Sequence, residues 1–175
     1  MCDTYYECKE GGNIMNMRRQ DRAMSHEESV EFLLKTGHGV LALVDGNQPY
    51  AIPMNHYYAD GHLYFHSAPA GHKLDILAVN PAVCYTVGEM DLLQGSKNGL
   101  LCGFGAFFHS VICVGEASLV TDPVRKASIF TDLTRHIAGD AALDMPDLTP
   151  EQADAVVLID VQILSMSGKA NVQKN

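Results

Sequence analysis

Between residues 66 and 73 the chain gathers two imidazoles, a hydroxyl and an ammonium: His66, Ser67, His72 and Lys73. Ala68-Pro69-Ala70-Gly71, between them, is small and unsuited to a helix, whereas the residues from His72 to Val79 read as one. A helix start leaves backbone N–H groups free and carries a partial positive charge. Such a place holds anions, phosphate above all, and the hydroxyl, imidazoles and ammonium add donors to the same small volume. A plain strand-to-helix joint with an ordinary N-cap is the other reading these residues allow.

Other chemistries find less support. No Ser-His-Asp or paired-carboxylate arrangement is evident, and no H-x-x-x-H spacing falls on a helix, so no metal site is expected. The eight histidines leave haem or metal ligation as a rival, with His56 and His62 flanking a hairpin and His66 and His72 flanking the loop. A lone strand histidine is more often a satisfied polar residue, and His38, His109 and His136 receive no role. The five cysteines (Cys2, Cys8, Cys84, Cys102 and Cys113) are odd in number and form no C-x-x-C pair. Cys84 and Cys113 fall in apolar strand-like runs, where a buried inert thiol is expected. That usage points to a reducing cytoplasm.

The elements that must position the loop follow from pattern. Residues 1–16 show no periodicity and read as an N-terminal extension. Residues 17–175 read as a single domain, in line with a prior of about 150 residues per domain. Ser25-His26-Glu27-Glu28 is a capping box opening a helix that Gly37 is expected to end. Gly39–Val44, Tyr50–Tyr58, His62–His66 and Val83–Val87 read as strands, the first three joined by the turns Asp45-Gly46-Asn47 and Asp60-Gly61. Pro53 cannot donate to a ladder, so the second strand needs a break, a bulge or a free edge. Residues 89–105 look like an excursion, and Phe107–Val120 like a long strand bent at Gly115. Asp122-Pro123 and Thr149-Pro150 each start a helix, and Val156–Val161 is a last strand. Six strands joined mainly by hairpins, with helices at the periphery, make a small antiparallel barrel the expected fold.

Charge and hydropathy limit the partners. The net charge of −9 offers no Lys/Arg cluster for a nucleic acid. No apolar run approaches the roughly 20 residues of a membrane span. The first ten residues lack the basic and apolar regions of a secretion signal.

In order and spacing these features resemble the FMN-binding split-barrel superfamily of pyridoxamine 5'-phosphate oxidase, and within it the Nim-type nitroimidazole-resistance proteins. The resemblance rests on Met17-Arg18-Arg19-Gln20-Asp21-Arg22, Gly39-Val40-Leu41-Ala42, Pro53-Met54-Asn55, Leu63 to Ala68, Gly71 to Asp75 and Asn80 to Cys84. Ser110-Val111-Ile112, Gly115-Glu116-Ala117 and Ser167-Gly168-Lys169 complete it. It implies a mainly β, six-stranded antiparallel split barrel, a homodimer, and FMN in a cleft between subunits. Pro53, Met54 and Asn55 would run along the flavin ring, and His66, Ser67, His72 and Lys73 would take its phosphate. Ser110 and Val111 would be further wall residues. The implied activity is an FMN-dependent oxidoreductase acting on small electrophiles such as nitroimidazoles, with His72 as the one candidate catalytic residue. The alternative is a non-catalytic flavin- or haem-binding carrier or sensor on the same fold. All five arginines lie outside the candidate loop and strands, which speaks against oxidation of pyridoxamine phosphate itself.

Overall fold

In the computed structural model, which describes residues 17–172, each strand predicted from apolar runs and hairpin turns is present. The expected extension 1–16, with Cys2 and Cys8, lies outside the described residues. The elements are β1 (Ala23–Met24), α1 (His26–Lys35), β2 (His38–Asp45), β3 (Gln48–Asn55), β4 (Tyr57–Ala59), β5 (His62–Ser67) and α2 (His72–Val79). They continue with β6 (Ala82–Gln94), β7 (Gly105–Leu119), α3 (Pro123–Ala138), α4 (Pro150–Ala153) and β8 (Val157–Asn171).

The strands form one antiparallel sheet in the order β3-β2-β6-β7-β8-β5-β4, with β1 paired to β8. Its two ends, β3 and β4, are neighbours in the chain, separated only by His56. The sheet is therefore not closed by a ladder; a single residue spans the split. Counting β3 and β4 as one interrupted strand, and β1 as a flap on β8, leaves the six strands expected.

His56 is fully buried at this parting. Its backbone N–H donates to the Gly37 carbonyl at 3.0 Å, and its Nε2 lies 3.0 Å from the Leu33 carbonyl. A carbonyl only accepts, so Nε2 carries the proton and Nδ1 accepts from the Tyr85 hydroxyl at 2.7 Å. Burial, the largest influence, holds the His56 imidazole down at a pKa of about 4.

Pro53 sits in an unbroken ladder opposite Val40. The two-residue turn at Gly46-Asn47 makes Asp45–Gln48 a hydrogen-bonded pair, so Pro49, Ala51, Pro53 and Asn55 take the alternate positions. There the peptide groups face away from β2, toward the edge that β3 leaves free. Of the three possibilities for Pro53, the free edge is realised, and the break comes three residues later.

Alternation along the strands sends Leu41, Leu43, Leu63, Phe65, Val83, Tyr85, Val111 and Val161 into the barrel. Each end is covered by a helix. At the start of β2, α1 inserts Phe32 and Leu33; at its far end, α2 inserts Ile76, where the Asn80 side-chain amide reaches the Val44 carbonyl. The capping box on α1 forms as expected, Ser25 Oγ accepting from the Glu28 N–H at 3.1 Å and Glu28 Oε2 from the Ser25 N–H at 2.7 Å. The helix stops at Lys35, with extended Thr36 as its cap, one residue before the expected Gly37. On the outer side of β5 and β8, α3 packs Leu133 against Tyr64 and Leu158.

Gly115 marks a register shift in β7, and a Cβ there would strike the Gln162 carbonyl and the Val161 side chain. The expected excursion at 89–105 is mostly regular: β6 and β7 remain paired to Gln94–Gly105 around a bulge at Asp91, and only the tip is loop. No helix among the described residues is long and apolar enough to cross a membrane.

Candidate functional site

The anion-loop residues diverge. His66 sits opposite Leu158 and turns outward, its ring 5.6 Å from that of Phe130 on α3; its Nδ1 is buried and has no hydrogen-bond partner among the described residues. Ser67 is buried at the end of β5 and donates to the Ala68 carbonyl at 3.0 Å. His72 and Lys73 open α2. His72 Nε2 lies 3.3 Å from Asp45 Oδ2, and its ring meets Tyr50 edge-on at 5.0 Å. Lys73 is half-buried and makes no ion pair among the described residues.

The start of α2 thus adjoins the turn end of the β2–β3 hairpin. Its N-cap, Gly71, has φ 138° and no side chain to cap the first-turn N–H groups. The Leu74 N–H turns back to the Gly71 carbonyl at 2.8 Å, leaving those of His72 and Lys73 as donors for an anion.

Asn55 stands at the other end of β3, five residues from Tyr50, or roughly 17 Å of extended chain. Pro53 is exposed on the outer surface, whereas Met54 points into the barrel opposite Gly39. Met54 is paired with Gly39, so its peptide groups face β2 and its side chain the core; at the free edge the Pro53 carbonyl and the Asn55 backbone are the groups a ligand can reach. A molecule contacting both the Asn55 end and the start of α2 must be elongated, with its anionic group at the α2 end.

Ser110 and Val111 are consecutive on β7 and face opposite ways. Val111 is fully buried in the core; Ser110 looks outward beside Lys169, whose carbonyl accepts its hydroxyl at 3.3 Å. Two cavities of about 640 and 570 Å³ exist elsewhere, and none of the nine candidate residues lines either. The candidate site is an open surface in a single chain.

Some structured polar groups had no signal in the pattern. Asp160, buried on β8, accepts from Arg125 of α3 at 2.8 Å and lies 2.6 Å from His62 Nδ1. Arg125 also donates to the Tyr64 hydroxyl at 3.3 Å. These residues are remote in sequence, and only the isolated charge of Asp160 in an apolar strand hinted at a partner. Tyr57 and Tyr58 alternate along β4, Tyr58 toward the barrel and Tyr57 toward α3. Burial pushes the Cys113 thiol up to about 12, and Cys84 is raised for the same reason, so both are inert at neutral pH. No group of three metal-ligating side chains occurs among the described residues.

The sequence matches the family model described as pyridoxamine 5'-phosphate oxidase over residues 25–170. Solved structures share the fold. One is a protein from Bacteroides thetaiotaomicron provisionally assigned to 5-nitroimidazole antibiotic resistance: 23% identical, TM-score 0.70, covering 84% of this chain and 85% of that one. Another is the flavocytochrome Anf3 of Azotobacter vinelandii, 20% identical, with TM-score 0.76 and coverage of 90% and 72%. A third is an FAD- and heme-binding protein of Mycobacterium smegmatis, 17% identical, with TM-score 0.76 and coverage of 87% and 74%. No curated protein matches the chain.

Proposed function

This chain belongs to the pyridoxamine 5'-phosphate oxidase family, and we propose that it is an FMN-dependent oxidoreductase that reduces small electrophiles such as nitroimidazoles. The observation that carries this reading is the free edge of β3 running away from the uncapped start of α2. Together they offer unpaired backbone groups for a flat polar ring and, at one end, donors for a phosphate.

Bound flavin would supply the redox chemistry. The protein's part is position and charge. Lys73 and the first-turn N–H groups of α2 hold the phosphate, which carries a charge of about −2. Ser67 lies at the strand end beneath it. His72, held toward Asp45, stands at the phosphate end of the site rather than beside the reacting ring. The β3 backbone from Pro53 to Asn55 orients the ring. Because the site is open in one chain, a second copy encloses it, with Ser110 on the facing surface.

The purified protein's absorbance spectrum, followed by titration with FMN, tests this. Flavin bands that a reductant bleaches, and that a nitroimidazole restores, are the expected result. A colourless protein that takes up no FMN would overturn it.

The fold neighbours named as a flavocytochrome and as an FAD- and heme-binding protein support a second reading, a flavin or haem carrier or sensor. A Soret band, or bound flavin that no donor reduces, would favour that one.

A further inference from the structure

The paired strands β6 and β7 outrun the rest of the sheet. Pairing of β2 to β6 stops at Thr86, and that of β8 to β7 at Phe108–Asn171, so the hairpin from Leu92 to Phe107 has two free edges. A two-stranded ribbon is marginal in water by itself. This one is also apolar: Met90, Leu92 and Leu93 are 66%, 64% and 74% exposed. Its tip is nevertheless tightly built. Ser96 Oγ donates to the Leu100 carbonyl at 2.7 Å, Asn98 Oδ1 accepts from the Leu100 N–H at 3.1 Å, and the Lys97 N–H reaches the Gly103 carbonyl at 3.3 Å. That network holds Leu101, 90% exposed, and Phe104 out to solvent. An ordered loop presenting large apolar side chains marks an interaction surface.

We propose that this arm clasps a second copy of the chain. The argument rests on the dimer reading given above. Helices cover both ends of the barrel and the outer side of β5 and β8, while among the described residues none covers the outer side of β3-β2-β6-β7. Outward residues there should be polar in a monomer; instead they include Val40, Ala42, Cys84, Ile112 and Val114. Strand alternation carries the same face onto the arm through Met90 and Leu93, so face and arm are one surface. Four strands about 5 Å apart and, like β2 and β3, 8 residues long give a face of about 500 Å². That is below the roughly 800 Å² per partner of a stable interface, and the arm supplies the missing contact. Its few charges, Glu89, Asp91 and Lys97, do not suit an anionic membrane surface. Two copies related by a two-fold axis each offer one face and one arm.

Replacing Leu101 with a photo-crosslinking phenylalanine analogue tests this in the full chain, since the side chain makes room without disturbing the core. Mixed isotopically light and heavy protein, irradiated, should give hybrid cross-links from position 101 to another copy. Separately, the pair Leu101→Glu and Phe104→Glu should raise the dimer dissociation constant at least tenfold by sedimentation, with the folded spectrum kept. If the protein is a dimer but cross-links stay within one chain, or the charged pair leaves dissociation unchanged, the arm is not the clasp and the dimer stands. A protein that is monomeric at all concentrations overturns both the clasp and the dimer.

Discussion

The Nδ1 of His56 and the hydroxyl of Tyr85 lie 2.7 Å apart in the core, tying β6 to the single residue at which the ring of strands parts. The opposite nitrogen holds the last turn of α1 through the Leu33 carbonyl. One imidazole thus fixes the split, a helix end and the strand across the barrel. The free edge of β3 begins just before it, so the clamp also sets where that edge can stand.

Tyr85→Phe removes the donor and leaves a buried acceptor unmatched. The expected cost is about 1–3 kcal/mol. A lower urea midpoint with an unchanged slope would show it; equal midpoints would mean that water or another group satisfies Nδ1.

Acid should weaken the fold through the same residue. The folded value of about 4 lies below the ordinary imidazole value of 6.5, so between those pH values the unfolded chain binds the proton that the folded chain refuses. Stability contributed here is full above pH 6.5 and is lost as pH falls toward 4, by up to about 3 kcal/mol. Ring nitrogen spectra should show His56 neutral, with the proton on Nε2, at pH 5.5. A charged ring at that pH contradicts the assignment.

Asp160 anchors α3 through Arg125 and orients His62. Asp160→Ala should destabilise by about 1–3 kcal/mol and speed amide exchange along α3 before the barrel strands respond. Arg125→Ala should cost less, because its side chain is half exposed and its ion pair is screened. Uniform exchange across all elements would remove α3 as a separately anchored unit.

At the phosphate end, Lys73→Ala should weaken FMN by about 1.5–3 kcal/mol. Asp45→Asn should tighten it slightly, by less than about 1 kcal/mol, since it removes an exposed carboxylate 3.3 Å from His72. Flavin fluorescence titrations of both variants check the pair, and opposite signs would move the phosphate elsewhere.

Much of this was legible in the chain. Gly-containing turns and apolar alternation located the strands, and the caps at Ser25, Asp122 and Thr149 all form as the local residue types demand. Pro53 announced a break, a bulge or a free edge without choosing among them; the edge is realised at Pro53 and the break falls at His56, whose place depends on partners at Leu33 and Tyr85 distant in sequence. The length of the β6–β7 arm was hidden for another reason. Its strands are apolar on both faces and end in a Gly, Ser and Asn tip, which reads as loop when no partner supplies the pattern. The four polar residues of the loop are adjacent in sequence, yet strand alternation turns His66 toward α3 and α2 carries His72 toward Asp45. Proximity along the chain overstated their convergence.

Binding of FMN against riboflavin is the most direct test, because the two differ by the phosphate that the start of α2 is held to recognise. FMN should quench saturably and raise the melting temperature, with riboflavin binding at least about tenfold more weakly, as loss of a charged hydrogen-bonded group implies. Equal affinity for the two, or none for either, would contradict the account.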